Sequence, residues 1–326
     1  MAFGDNRAKM DRFANEHYIR MVGPSQQGSS LYDQYRNTYI DWVNTITSGS
    51  AAWDTSNNFV PQIAPPTVAA FKTEISEEPM ARLANKFAVG CDPEFVVVNK
   101  GRIVSVAALG HDGPVGFDHH GLCAELRPDH AKGTFTLVKR IQELLRTNSK
   151  LKTFAVHQWR GGAYLNDGVN RVSLGGHIHF GFTGENMPKD LLPALDALTK
   201  LLEHLDILPQ HESTTRRTVT EYGKWSQIRT DTADGHVEYR TMASWLHDPL
   251  VAFAALTLAK LVACDPQLAL DQLKKATSQA ALIKYLEAFV TKDINAHRLL
   301  TRLERCKKAL QMDPEKDLKE AWEVEL

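Results

Sequence analysis

The sequence lacks the features that would place a chain in a membrane or in an oxidising compartment. It contains four cysteines, and none forms a C-x-x-C pair, which argues against a zinc knuckle or a thioredoxin-type motif. The first residues carry no apolar stretch of the kind found in signal peptides. The longest apolar run, Val251 to Cys264, is interrupted by Lys260 and is too short to cross a bilayer. We therefore expect a soluble cytoplasmic protein with reduced thiols and no membrane partner.

The chain also lacks an excess of one charge sign and the common nucleotide motifs. Its formal net charge is −1 at pH 7, so the bulk charge does not indicate nucleic-acid binding. There is no G-x-G-x-x-G and no G-x-x-x-x-G-K-[ST], which argues against a Rossmann or a P-loop site. A nucleophile elbow is absent as well. Any catalytic site must therefore be built from other residues.

Composition and residue periodicity divide the chain into four parts. Residues 1–46 are polar with an aromatic stripe at helical spacing, which predicts an N-terminal helical extension that packs on its own domain or binds a partner. Residues 47–85 are rich in Ser, Asn and Pro and predict a linker and lead-in. Residues 86–250 combine strand and helix patterns and predict a catalytic core. Residues 251–326 predict C-terminal helices packed on that core.

Turn and strand signals in the core predict an antiparallel sheet. The run Phe87 to Asn99 ends in three valines, Asn99-Lys100-Gly101 is a turn signal, and Arg102 to Ala108 predicts the return strand of a hairpin. A hairpin favours an α+β fold over a doubly wound α/β fold. The pattern further predicts helices at Thr134–Asn148 and Pro188–Leu205, a strand near Phe154–Trp159, a strand over Arg171–Phe182, and polar connecting segments at 110–121 and 211–235.

Four motifs place polar side chains two residues apart around an apolar or ring residue. Residues i and i+2 of a strand lie on the same face of a sheet, so the spacing predicts one sheet face crowded with polar groups. The pairs are His177 and His179, Asp92 and Glu94, Glu125 and Arg127, and Glu238 and Arg240.

The residue types in these pairs indicate metal and phosphate chemistry. Neighbouring carboxylates repel one another unless cations intervene, and open carboxylate sites suit Mg²⁺ or Mn²⁺. The histidines leave Zn²⁺ as an alternative. Guanidinium groups bind phosphate, although they also pair with carboxylates. The candidate phosphate-binding residues are Arg127, Arg216, Arg217, Arg229 and Arg240. Carboxylates together with arginines suit phosphoryl transfer from a nucleotide.

The order of the motifs matches a known family. The chain carries, in sequence, Gly90-Cys91-Asp92-Pro93-Glu94-Phe95, Ala124-Glu125-Leu126-Arg127-Pro128, Gly175-Gly176-His177-Ile178-His179-Phe180-Gly181 and Val237-Glu238-Tyr239-Arg240. This series resembles the phage-type carboxylate–amine ligases (COOH·NH2 ligases) of the glutamine synthetase and glutamate–cysteine ligase superfamily. The resemblance covers residues 86–250, about half of the chain, and residues 1–85 match no feature of the family.

The resemblance implies a curved antiparallel sheet, with helices on its outer face, that holds ATP and divalent metal. It implies transfer of the ATP γ-phosphate to a carboxylate and attack of an amine on the acyl phosphate. The metal is expected to be Mg²⁺, with Mn²⁺ as an alternative, and a homo-oligomer is an open alternative. The expected metal ligands are Asp92, Glu94, Glu125, His177 and Glu238.

The resemblance also assigns roles beyond the metal. Glu94, Glu238, Arg240 and Arg217 are expected to act in catalysis, and Arg217, Arg229 and Arg240 to hold phosphates. We expect substrate contacts from His179, Asp118 and Tyr222. The first acidic pair is Asp-Pro-Glu, where glutamine synthetases have two glutamates, so the ligand geometry can differ. A zinc hydrolase that uses the H-x-H strand, or a non-catalytic virion or binding protein that keeps the fold, are the alternatives.

Overall fold

The computed structural model of the protein describes residues 88–181, 186–230, 236–310 and 317–324. The predicted N-terminal extension (1–46) and linker (47–85) lie outside the described residues and stay predictions.

Ten strands occur in the described part of the chain. They are β1 (Val89–Asn99), β2 (Arg102–Val104), β3 (Val115–Asp118), β4 (Cys123–Leu126), β5 (Gln158–Arg160), β6 (Tyr164–Asn166), β7 (Arg171–Ser173), β8 (Gly176–Phe180), β9 (Ile228–Arg229) and β10 (Val237–Tyr239). Eight of them form one sheet with the order β3-β4-β1-β8-β10-β9, while β2 and β5 pair with the second half of β1 and β6–β7 is a separate hairpin. All pairings are antiparallel.

Nine α-helices lie in the same described ranges. They are α1 (Thr134–Thr147), α2 (Ser149–Lys152), α3 (Leu191–His204), α4 (Gln210–Val219), α5 (Pro249–Cys264), α6 (Pro266–Leu273), α7 (Gln279–Glu287), α8 (Ile294–Leu310) and α9 (Leu318–Ala321). An antiparallel sheet combined with helices, several of them C-terminal, confirms the predicted α+β class.

Helix α5 lies at the centre of the helical layer. It is mostly apolar around its circumference and almost wholly buried, as expected for a helix surrounded by other elements, and it packs against α1, α3, α6 and α8. Its start follows from local chemistry, because Asp248 accepts a hydrogen bond from the amide of Leu250 at 2.7 Å and Pro249 fits the first turn. The helix thus begins at Pro249, two residues before the predicted C-terminal helical segment 251–326.

The two faces of β1 carry different side chains. Val89, Cys91, Phe95 and Val97 face the helical core. Burial of a residue such as Phe95 stabilises the fold by about 1.5–3 kcal/mol. The alternate residues, which include Asp92 and Glu94, lie on the opposite face because side chains alternate along a strand. Further along β1 this second face is apolar and is covered by a small cluster under the β6–β7 hairpin. The polar part of the face thus has a closed end.

Several predicted boundaries differ from the structure. The segment 110–121 contains β3, the segment 211–235 contains α4 and β9, and the strand near Phe154–Trp159 begins only at Gln158. The predicted strand Arg171–Phe182 is two strands, β7 and β8. Short edge strands depend on a partner distant in sequence, and α4 buries few residues, so neither has a strong local pattern.

No single described helix is long and apolar enough to cross a bilayer, and α5 with α6 has the length and composition to do so only as a pair bent by 116°.

Candidate functional site

The sheet register brings the four motifs onto one face. Directly opposed residues on antiparallel strands lie close together on the same face. The opposed pairs are Asp92 with His177, Glu94 with Glu125, and Glu238 with both His179 and Arg229. The crowded polar face predicted from the spacing of these residues is thereby formed by β4, β1, β8, β10 and β9.

Three side chains on this face offer ligand atoms to a single point. Asp92 Oδ1 lies 3.2 Å and Glu238 Oε1 lies 3.4 Å from His177 Nδ1, and one ligand atom from each residue falls within 4.8 Å of the others. These three atoms are buried and make no hydrogen bond among the described residues. Since buried polar atoms are rarely left without a hydrogen bond, a cation bound between them would account for all three. We call this set the Asp-His-Glu triad.

The second histidine of the H-x-H strand borders the triad. His179 Nε2 lies 3.1 Å from Asp92 Oδ1, and the ring of His179 stacks on His236 with centroids 4.6 Å apart and planes inclined by 15°. The side chain of His179 is 23% exposed, against 4% for His177. His179 therefore lies between the triad and solvent.

Glu94 and Glu125 extend the acidic face beyond the triad. Glu94 accepts a hydrogen bond from the amide of Gly175 at 2.6 Å, and Glu125 forms an ion pair with Arg127. Any side chain at Gly175 would overlap the ring of His177, so the glycine is required by the close approach of that ring. Gly116, opposite Glu125, likewise leaves room for Arg127, whose Nη1 would lie 2.5 Å from an added Cβ.

The pKa values of the acidic residues reflect their burial and mutual repulsion. Burial would raise the pKa of Asp92, but attraction to His177 and His179 outweighs it and holds that pKa well below the usual range. Burial raises the pKa of Glu94. Burial and the charge of Asp92 raise the pKa of Glu125 to about 9, although Arg127 opposes the shift. The metal-free site is thus short of positive charge, which is the condition for cation binding.

The pKa of His177 depends on the same carboxylates. Burial would lower it, but the negative charges of Asp92 and Glu94 prevail, and the pKa of His177 is raised. A metal ion would bind the deprotonated ring, so metal and proton compete for Nδ1 of His177.

Three of the five predicted arginines reach the acidic face. Arg229 Nη1 lies 3.1 Å from Glu238 Oε2, Arg240 Nε lies 3.0 Å from Glu238 Oε1, and Arg127 pairs with Glu125. The side chains of Arg229 and Arg127 are 47% and 35% exposed. These guanidinium groups line the open side of the face.

The other two arginines bind protein groups elsewhere. Arg216 is buried and donates to Ser173 Oγ at 2.9 Å and to the carbonyls of Thr241 and Met242 at 3.1 and 3.0 Å. Burial lowers its pKa to about 10. Arg217 makes two hydrogen bonds to Glu203, at 2.8 and 2.7 Å. The structure therefore does not bring their donors to the triad.

The remaining substrate candidates lie at the surface. Asp118 ends β3 and accepts a hydrogen bond from the amide of His119 at 2.7 Å. Tyr222 lies between α4 and β9 and is 43% exposed. Within the residues the structure describes, neither side chain forms a hydrogen bond or ion pair with the triad.

The chain matches one known protein family over most of its described length. A family model described as phage phiEco32-like COOH.NH2 ligase-type 2 matches residues 89–322. The chain belongs to this family. The match confirms the resemblance inferred from the four motifs, and it extends that resemblance through the C-terminal helices.

Structural and sequence neighbours of this COOH.NH2 ligase-type protein are distant. A solved structure titled as a novel glutamine synthase homologue is 11% identical, covers 75% of this chain and 74% of its own, and has a TM-score of 0.40. GmaS in its apo form without ligand is 14% identical, covers 71% of each chain, and has a TM-score of 0.35. No curated protein matches the chain in sequence.

The ligase family generally uses a nucleotide and a divalent metal, and the donor set fits the metal. The two carboxylates are ligands that suit Mg²⁺ or Mn²⁺, whereas the imidazole also suits Zn²⁺. The three buried atoms without hydrogen bonds lie close to one another. His236 was not among the predicted residues. It could have been found from the alternation of polar side chains at positions 236, 238 and 240.

Proposed function

We propose that the protein is an ATP- and divalent-metal-dependent carboxylate–amine ligase that forms an amide through an acyl phosphate. The observation that carries the proposal is the convergence of the Asp-His-Glu triad and two arginines around the buried Glu238. Membership of a COOH.NH2 ligase family supports the reaction class.

The proposed metal site is the triad, with Glu94 and Glu125 as further carboxylates. A bound Mg²⁺ or Mn²⁺ would neutralise these acids and polarise the nucleotide phosphates. His177 would ligate through Nδ1, the atom that lies between the two triad carboxylates. One carboxylate oxygen of Glu94 accepts a hydrogen bond from the amide of Gly175, and this bond orients the carboxylate.

The proposed phosphate-binding residues are Arg127, Arg229 and Arg240, because their side chains lie on the acidic face. Each is paired with a carboxylate and could exchange that partner for a phosphate oxygen when metal neutralises the carboxylate. Charge that develops on the transferring phosphoryl group would be stabilised by these preorganised donors.

The proposed reaction has two steps. A carboxylate oxygen of the first substrate attacks the γ-phosphorus of ATP, and the bond to the bridging oxygen of ADP breaks. The amine nitrogen of the second substrate then attacks the acyl carbon, phosphate leaves, and the nitrogen loses a proton. His179, at the rim of the triad, is a proposed substrate neighbour. A homo-oligomeric state and a cytoplasmic location stay predictions.

The experiment is a coupled assay of ADP release with a panel of carboxylates and amines, with hydroxylamine added to trap a hydroxamate. We expect carboxylate-dependent ADP release with Mg²⁺ or Mn²⁺, and its loss in Glu238→Gln. Glu143→Gln, at an exposed position on α1, is the matched control and should keep full activity. Absence of ADP and hydroxamate with every carboxylate and protein fraction tested would exclude the ligase reaction.

One observation favours a second candidate, a zinc-dependent hydrolase. Both His177 and His179 place a ring nitrogen within 3.2 Å of Asp92, and two imidazoles with a carboxylate form a donor set that zinc prefers. Metal analysis of the purified protein decides between them. One tightly bound zinc per chain would favour the hydrolase, whereas a weakly held Mg²⁺ or Mn²⁺ would favour the ligase.

A further inference from the structure

Helix α3 carries a polar stripe in addition to its apolar face. Asp196, Thr199, Lys200 and Glu203 are spaced i, i+3, i+4 and i+7, so they lie on one side of the helix. Asp196, Thr199 and Glu203 are buried. Buried polar residues need hydrogen-bond partners, and those of Asp196 lie in β10 and in the turn before β9.

Asp196 binds two segments with one carboxylate. Its Oδ1 accepts from the hydroxyl of Tyr239 at 2.8 Å and from the amide of Ser226 at 3.0 Å. Its Oδ2 accepts from the hydroxyl of Ser226 at 2.6 Å. Thr199 lies beside the same tyrosine, with its hydroxyl 3.0 Å from that of Tyr239. The three hydrogen bonds to Asp196 connect helix α3 to β10 and to the turn before β9.

Tyr239 links this carboxylate to the triad through the strand. It lies between Glu238 and Arg240 in β10, and its side chain is in the helical core, on the opposite face from theirs because neighbouring residues of a strand alternate. A hydrogen bond that fixes the tyrosine ring therefore fixes the strand from behind. Glu238 is then held in position relative to Asp92 and His177.

Ser226 links the same carboxylate to Arg229. Its φ is 57°, a left-handed conformation that a non-glycine residue adopts at an energetic cost, and Asp196 binds both its amide and its hydroxyl. The carbonyl of Gln227, just before β9, then accepts a hydrogen bond from the amide of Arg240 at 2.8 Å. Arg229 follows and reaches Glu238 at 3.1 Å.

The rest of the stripe holds the same turn. Lys200 Nζ lies 4.6 Å from the ring centre of Trp225, and the guanidinium of Arg217 lies 4.2 Å from it. Arg217 is in turn bound by Glu203. Trp225 directly precedes Ser226, so these contacts restrain the turn at a second point.

We propose that Asp196 is a positioning residue that holds β9 and β10 in register and thereby sets Glu238 and Arg229 against the triad. The inference rests on the proposed function where it concerns metal binding. Asp196 itself is placed to touch neither the metal nor the substrates, and it acts through Tyr239 and Ser226.

The test compares Asp196→Ala and Asp196→Asn with Gln142→Ala in the full-length protein. Gln142 is a buried residue of α1 that donates to the carbonyls of Trp322 and Val324 at 2.9 and 2.8 Å, so its variant loses a comparable buried contact far from the site. Two quantities are measured at a temperature where all variants are folded: the Kd for Mn²⁺ alone, by electron paramagnetic resonance, and amide hydrogen exchange over residues 223–230 and 236–241.

We expect Asp196→Ala to weaken Mn²⁺ binding about tenfold, as changes to groups that orient metal ligands do, and to speed exchange in both segments. Asp196→Asn should restore most of both properties, because its amide oxygen can accept from Tyr239 and Ser226 and its NH2 can donate to the Ser226 hydroxyl. Gln142→Ala should change neither. A wild-type Kd, or wild-type exchange in these segments, for Asp196→Ala would overturn the proposal. If the wild-type protein binds no Mn²⁺, the proposed metal site fails, and the exchange data still decide the positioning role.

Discussion

The substitution Asp92→Asn tests the metal site at its most connected residue. Asp92 Oδ1 lies within 3.2 Å of ring nitrogens from both His177 and His179. The asparagine keeps the size of the side chain and an oxygen that can ligate, but it removes the negative charge. The variant therefore isolates the electrostatic part of metal binding.

The magnitude follows from Coulomb's law. A divalent cation and a carboxylate about 4 Å apart interact by about 8 kcal/mol at an effective dielectric constant of about 20, twice the value for two unit charges. The retained amide oxygen and the remaining carboxylates recover about two thirds of this, so we expect a loss of about 2.7 kcal/mol, which is about a hundredfold in Kd.

The assay is thermal unfolding with and without metal. At a Mg²⁺ or Mn²⁺ concentration about one hundred times the wild-type Kd, binding stabilises the folded wild-type protein by about 2.7 kcal/mol. This raises Tm by about 5–10 °C for a folded domain of about 150–250 residues. The variant, at a concentration now equal to its Kd, should gain only about 0.4 kcal/mol. Asp271→Asn, which removes the same charge at an exposed position of α6, should keep the wild-type shift. An equal shift in Asp92→Asn would refute a cation between Asp92, His177 and Glu238.

Three further predictions concern neighbouring residues. Metal affinity, measured by Mn²⁺ titration, should rise from pH 6 to pH 8 because metal binds the deprotonated ring of His177. The pKa of His177 is raised in the folded, metal-free protein. Protonation of His177 therefore stabilises the metal-free fold below the unfolded-state pKa of about 6.5, and this stabilisation is lost as pH rises through the folded-state pKa. Glu125→Gln should raise the free energy of unfolding of the metal-free protein by about 1–3 kcal/mol at pH 8, measured in urea. At that pH the unfolded chain ionises Glu125 freely, whereas its pKa of about 9 in the folded protein makes ionisation unfavourable. A destabilised variant would contradict the repulsion between Glu125 and Asp92. Gly175→Ala should destabilise the protein by about 1–3 kcal/mol, since its Cβ would overlap the ring of His177, whereas unchanged urea unfolding would show that the ring can move.

The polar face was predictable because strand alternation is a local property. The spacing of Asp92 from Glu94, and of Glu238 from Arg240, is enough to place each pair on one face of a strand. The start of α5 at Asp248-Pro249 was predictable for the same reason, since a capping residue and a proline act within one turn.

Other parts of the site had no local signal. The strand β9 is two residues long, and α4 has a mostly polar sequence, so both owe their structure to contacts with distant segments. The polar stripe of α3 was hidden by the stronger apolar pattern of the same helix. Its significance appears only when Asp196 is seen to contact Tyr239 and Ser226.

Strand alternation in the sequence establishes which residue types share a strand face, and the family resemblance adds the chemistry. Which of these residues meet depends on the folded chain, because the register between distant strands places Asp92 opposite His177 and Glu238 opposite His179. It also separated the arginines. A guanidinium on a long side chain can reach a phosphate site or a protein partner equally well, so only the folded surroundings direct Arg229 and Arg240 to Glu238 and Arg217 to Glu203.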